Sequence, residues 1–181
     1  INGVMVSQTN TIDDPDGDSA EKIWKGGLYE GLEGQVHPPE RQPEMLAHLT
    51  RVAQELPALT KRVYGEFRYP PSRLTEAIWK SCAWAFRADS TYFSIAQALA
   101  TEPERAELTA IYFGTADVVG HRFFRYARPA LYKHRPTEEE LEDYGHVIAR
   151  TYVRLDEMLS TLLDLYPPET TVIICSDHGM L

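Results

Sequence analysis

The sequence lacks the marks of several protein classes. Its 181 residues include only two cysteines, Cys82 and Cys175, too few for a disulfide framework. Both read as small buried apolar residues rather than as reactive thiols. No apolar run approaches the length of a transmembrane helix, so no segment is expected to span a membrane. Basic residues are in the minority: 18 Lys+Arg against 27 Asp+Glu leave a formal net charge of −9. That balance argues against a binder of nucleic-acid polymers or of membrane surfaces, which need a basic face. It does not exclude a phosphate-bearing substrate, because bound cations reverse the local sign. There is no internal repeat, no low-complexity tract and no signal-peptide pattern. Ile1 stands where an initiator Met would, and Met180-Leu181 follow an apolar run directly. Both ends read as cut, so the chain is expected to be a piece of a longer protein, and neither localisation nor oligomeric state is legible in it.

What is present is an ordinary globular composition, 43 % hydrophobic and 25 % charged, which excludes collagen-like, mucin-like and wholly disordered chains. After a short apolar segment at Val4 to Ser7, residues 8–42 form a long irregular region rich in glycine and proline. Its acidic cluster (Asp13, Asp14, Asp16, Asp18) invites a calcium-loop reading. An EF-hand register that uses Gly17 puts Ile12 at the first ligand position, so a solvated acidic turn is preferred. Residues 43–100 are helical in pattern. Pro43 opens a helix carrying Leu46, Leu49, Val52, Ala53 and Leu56, which Pro57 is expected to end or kink. A second helical region runs from Ser72 to Ala100, where Trp79 and Trp84 read as packing residues.

The segment 107–181 changes character. Leu108 to Phe113 (LTAIYF) and Thr170 to Cys175 (TTVIIC) are short apolar runs that predict buried strands. Between them, Thr137 to Tyr166 predicts one long amphipathic helix, with Thr137 and Glu140 matching a capping box. Strand, crossover helix and strand predict an α/β fold, a parallel sheet with helices on both faces. In such sheets ligands sit beyond the carboxyl ends of the strands. Asp117 and His121 follow the first run, and Asp177 and His178 follow the second. Carboxylates and imidazoles gathered at one sheet edge are the ligands a borderline divalent cation takes. The first motif alone is weak and the second moderately informative, and a cap or turn accounts for either. Both in this order, each after an expected strand, point to a metal site with Asp117, His121, Asp177 and His178 as ligands. The other histidines, His37, His48, His134 and His146, lack such a setting and read as packed or solvated.

The stretch IYFGTADVVGHRFFRYARP resembles the D-x-x-G-H segment of the alkaline phosphatase superfamily, in its type I phosphodiesterase/nucleotide pyrophosphatase branch. TVIICSDHGM resembles that branch's S-D-H-G segment, and NGVMVS with the glycine-rich stretch after it is also similar. The resemblance implies a partial alkaline-phosphatase-like fold, with residues 1–181 the central part of one catalytic domain. It implies a metal-dependent phosphoric ester hydrolase acting on a small phosphate-ester substrate with two divalent metal ions, zinc first and Mn or Mg also compatible. Asp117 and His121 would bind one ion, and Asp177 and His178 the other. In-line phosphoryl transfer would use a Thr or Ser nucleophile that, like the remaining ligands, has no counterpart here, so this piece alone is expected to be inactive. Arg122 and Arg125 are placed to meet a substrate anion, although surface ion pairing accounts for them equally well. The contrasting reading is a catalytically silent structural or interaction module. Two sibling readings are a sulfatase, which the D-x-x-G-H segment disfavours, and a cofactor-independent phosphoglycerate mutase, whose surroundings look different.

Overall fold

The structure, a computed structural model, describes residues 3–6, 28 and 33–179. The acidic cluster and most of the 8–42 region lie outside the described residues. Two short strands, β1 (Met5–Val6) and β2 (Val36–His37), pair antiparallel with Met5 opposite His37 and Val6 opposite Val36. Five helices follow: α1 (Gln42–Tyr64), α2 (Arg73–Ala100), α3 (Thr115–Ala127), α4 (Glu138–Tyr144) and α5 (Val147–Leu163). No helix among the described residues is long and apolar enough to cross a membrane.

The chain divides into two compact units. The first comprises residues 1–57 and 83–112. Its core gathers Leu28, Val36, Met45 and Ile95, with Leu46, Leu49, Tyr92 and Leu99 packed against them. The start of α1 is fixed by charge: Arg41 pairs with Glu44 through both Nε and Nη2, and reaches Glu102 as well.

Further along α1, His48 is buried, its Nδ1 lying 2.9 Å from Ser94 Oγ and 2.7 Å from Arg51 Nη2. A guanidinium only donates, so Nδ1 accepts and the ring is neutral. Burial holds His48 below the ordinary imidazole value of 6.5, Arg51 lowers it further, and Glu44 opposes both. A lowered folded-state pKa means that this stabilisation is present above 6.5 and is lost as pH falls toward the folded value. Thermal stability is therefore expected to decline as pH falls below about 6.5, and His48→Gln, which keeps an acceptor but cannot titrate, to flatten the decline. A variant whose pH profile tracks the wild type excludes His48 as the source.

The second unit comprises residues 58–82 and 113–181. Its core is aromatic. Trp79 meets Tyr64 and Phe67 edge-on at 5.1 and 4.9 Å, and Phe123 stands beside Tyr126 and Tyr144. Trp79 is thus a packing residue, as its helical setting implies. The capping box forms: Thr137 Oγ1 accepts from Glu140 N, and Glu140 Oε2 accepts from Thr137 N. The buried Asp143 carboxylate accepts the backbone N–H groups of Arg68 and Tyr69, each at 2.8 Å, and ties their loop to α4.

Several expectations are corrected. The described residues are mostly helical, and their only sheet is the two-stranded antiparallel pair. Neither 108–113 nor 170–175 forms a strand. Both lack regular secondary structure and are largely solvent-exposed, with Leu108 83 % and Ile173 82 % accessible. A strand exists only with a ladder partner, and the described residues supply none to either segment. Cys175 lies in the second segment and is exposed rather than buried. Cys82 is buried as expected, and burial pushes its thiol up to about 11, with Arg122 opposing.

The long 137–166 helix is instead two helices broken at Gly145-His146. Gly145 N–H closes α4 on Leu141 O, and a Cβ at that glycine would come within 2.5 Å of the same oxygen. Conversely, α1 runs through Pro57 to Tyr64. An interior proline costs a helix roughly 3 kcal/mol. The turn beyond it is held by Tyr64, whose hydroxyl meets Thr151 Oγ1 at 3.0 Å and whose carbonyl accepts from Arg150.

Candidate metal centre

Helix α3 positions half of the centre. Asp117 lies in its first turn, and His121 follows at i+4 on the same face. Val119 and Phe123, each two positions further on, lie about 200° around the helix and are buried. One face of α3 is thereby fixed in the aromatic core while the other presents the carboxylate and the imidazole. The irregular segment 170–175 leads to a bend at Asp177 and delivers His178.

Asp117, His121 and His178 come together, with one ligand atom from each lying within 4.8 Å of the others. Asp117 Oδ1 is 3.1 Å from His121 Nε2 and 3.4 Å from His178 Nε2. Donors bound at about 2.0–2.2 Å to one tetrahedral ion lie about 3.3–3.6 Å apart, so the 3.4 Å separation matches a shared cation and the 3.1 Å one is slightly shorter. The hydrogen-bond pattern agrees. Asp117 Oδ1 is buried and receives no hydrogen bond among the described residues. His178 Nδ1 lies 3.1 Å from Gly179 O, and a carbonyl only accepts, so Nδ1 carries the proton. In the neutral ring Nε2 then presents a lone pair toward a carboxylate oxygen. Two lone pairs facing each other repel unless a cation lies between them. The His121 and His178 ring centroids stand 5.8 Å apart.

Of the four expected ligands, the structure therefore brings three together. Asp177 is not part of this group: its side chain is 93 % accessible, and its Oδ1 lies 3.9 Å from His178 Nε2. The two arginines point to other partners. Arg122 Nε donates to Ser81 Oγ at 2.9 Å, and the Arg125 guanidinium lies over the Tyr126 ring. Sequence reasoning missed Ser176, whose Oγ donates to His178 O at 2.6 Å. The signal available for it was its place at the head of the S-D-H-G segment.

With this geometry in place, comparison with known proteins identifies the class. The chain matches the family described as type I phosphodiesterase / nucleotide pyrophosphatase over residues 4–181, and it belongs to that family. The family is one of phosphodiesterase- and pyrophosphatase-type hydrolases, consistent with the alkaline phosphatase superfamily. No curated protein and no solved structure matches the chain significantly.

Proposed function

We propose that the chain carries part of the active centre of a metal-dependent phosphoric ester hydrolase. The observation that supports this most directly is the Asp117 Oδ1, which receives no hydrogen bond among the described residues and is faced by two imidazole nitrogens at 3.1 and 3.4 Å. Asp117, His121 and His178 hold one divalent cation, zinc by the chemistry of its donors, with Mn or Mg as substitutes. Asp177, exposed beside His178, is the ligand left for a second cation. Bound there, the cations supply positive charge to the oxygens of a phosphate ester in a chain whose own net charge is −9. The chain's residues do the holding. Asp117 contributes the anionic oxygen, His121 and His178 contribute neutral nitrogens, and the Gly179 carbonyl fixes the His178 tautomer. The Thr or Ser nucleophile of in-line transfer comes from elsewhere in the complete catalytic domain, and 108–113 and 170–175 are edge-ready segments of its parallel sheet. Their exposed apolar side chains support this reading, since contiguous exposed apolar surface marks a contact yet to be made.

The test is zinc analysis of the full-length protein, together with hydrolysis of bis(4-nitrophenyl) phosphate. Chelation is expected to abolish turnover, and added zinc to restore it. Turnover that survives exhaustive chelation, in a protein that retains no metal, overturns the proposal.

A further inference from the structure

We infer that Arg125 is a specificity-determining residue that meets a second negative charge on the substrate, a phosphate or carboxylate group carried beyond the ester phosphate itself. The inference rests on the reading of Asp117 and His121 as ligands of one cation, and it needs neither Asp177 nor His178. Helix α3 sets the place. Asp117, His121 and Arg125 follow one another at intervals of four residues. Arg125 therefore stands one turn beyond His121, about 6 Å along the axis and about 40° around it. Side chains on a helix lean back toward its N-terminus, so an arginine here covers the turn that carries His121.

The two arginines that follow the D-x-x-G-H segment differ in their bonding. Arg122 Nε is engaged with Ser81 Oγ. Arg125 Nε is buried and donates to nothing among the described residues, while Nη2 makes one long hydrogen bond, 3.4 Å, to His134 O. Arg41, Arg68 and Arg154 each pair with a glutamate, whereas Arg125 forms no ion pair among the described residues. The Glu140 carboxylate feels the Arg125 charge, yet its oxygens accept from Ser72, Thr75 and Thr137 instead. A guanidinium brings five donors, so Arg125 is a cation with donors to spare. In the structure it lies over the Tyr126 ring, 5.2 Å from the centroid. Such a contact is worth about two- to fivefold in an equilibrium, against about 10- to 100-fold for hydrogen bonds from a charged donor to an anion. An anion bound beside His121 therefore draws the guanidinium off the ring. The surroundings favour this. From Val118 to Thr137 the chain holds five of its 18 Lys+Arg and none of its 27 Asp+Glu. Arg128, Lys133 and Arg135, just past the end of α3, are exposed. In a chain of net charge −9, this is where a positive field greets an anionic substrate.

The experiment measures competitive inhibition of bis(4-nitrophenyl) phosphate hydrolysis by the full-length protein. The inhibitors are propylphosphonate, 4-phosphonobutyrate and propane-1,3-bisphosphonate. The first has one anionic group, and the others add a carboxylate or a second phosphonate at the far end of the chain. The wild type is expected to bind at least one of the longer anions about 10- to 100-fold more tightly than propylphosphonate, and the larger gain names the group that is read. Arg125→Met keeps an apolar stem against Tyr126 and is expected to abolish the gain. Arg125→Lys keeps the charge and is expected to retain part of it. Arg125→Gln, which still donates to His134 O, carries the same test should the methionine variant not fold. Arg128→Met is expected to keep the gain. If the wild type shows no gain, or if the gain survives in Arg125→Met, the role of Arg125 is refuted while zinc-dependent turnover leaves the metal reading standing. A loss in Arg128→Met as large as in Arg125→Met also refutes it, because a diffuse field and not one residue then reads the charge. If turnover needs no zinc, the metal reading fails and the inference falls with it.

Discussion

Asp117→Asn is expected to lower the zinc-dependent diesterase activity of the full-length protein by up to about 10³-fold, the scale at which loss of one preorganised group that stabilises charge acts. Each factor of ten is about 1.4 kcal/mol of transition-state stabilisation, so the loss corresponds to about 4 kcal/mol. The substitution keeps the shape of the side chain and removes its charge. It also replaces one oxygen by an amide that donates, so His121 Nε2 or His178 Nε2 can be satisfied without a cation. The zinc-free protein is therefore expected to be as stable as the wild type or slightly more stable, because a buried oxygen that receives no hydrogen bond is an uncompensated cost. Stabilisation by zinc should disappear in the variant; for the wild type it reaches about 2.7 kcal/mol at a free zinc concentration a hundred times Kd. Opposite signs for activity and zinc-free stability are the signature of a functional group held at a structural cost. Thermal unfolding with and without zinc, alongside kcat/KM, checks both halves. An Asp117→Asn protein that still gains stability from zinc would show that this carboxylate is not a ligand.

What could be read in the sequence follows the range of the interactions involved. The capping box at Thr137 and Glu140 closes within one turn, so four residues were enough to see it. Helices α1 and α2 carry their apolar period in the chain itself. Asp117 and His121 are legible as a pair from their types and their place just after an apolar run, although the run is no strand and both residues lie in α3. The failures are non-local. The apolar runs at 108–113 and 170–175 have strand composition, yet a strand is completed by a partner, and composition does not say whether one is at hand. Cys175 was misread for the same reason, since its burial was inferred from a sheet that the described residues do not form. At Gly145 the apolar period continues unbroken across the gap between α4 and α5, so periodicity alone merges two helices. Only the closeness of Leu141 O to the glycine marks the break. At the site, the two motifs announced four ligands by type. That His178 sits with Asp117 and His121 while Asp177 faces solvent depends on how one exposed turn bends, which residue identity does not fix.

The largest effect on stability is expected at Phe123, on the buried face of the helix that carries the ligands. Phe123 is fully buried, 6.0 Å from Trp79 in an edge-on contact, 5.6 Å from Tyr126 and 6.1 Å from Tyr144. Phe123→Ala removes the ring at the junction of α3, α4 and the first turns of α2, and the surrounding rings are too rigid to collapse into the space. The expected loss is about 3–5 kcal/mol, the range for aromatic-to-alanine changes in cores. That is a large share of the roughly 5–15 kcal/mol that holds a domain folded. For a chain of this size each kcal/mol lowers Tm by about 2–4 °C, so the variant should melt about 6–20 °C below the wild type. Phe123→Leu keeps much of the volume and should recover most of the loss. The consequence for the site is indirect. Asp117 and His121 lie on the opposite face of α3 and touch none of these rings, so at a temperature where the variant is folded its zinc affinity should stay close to that of the wild type. Calorimetry of Tm and zinc titration at low temperature separate the two effects. A Tm within about 2 °C of the wild type would mean less than about 1 kcal/mol was lost, and that the packing around Phe123 is not what holds α3 in place.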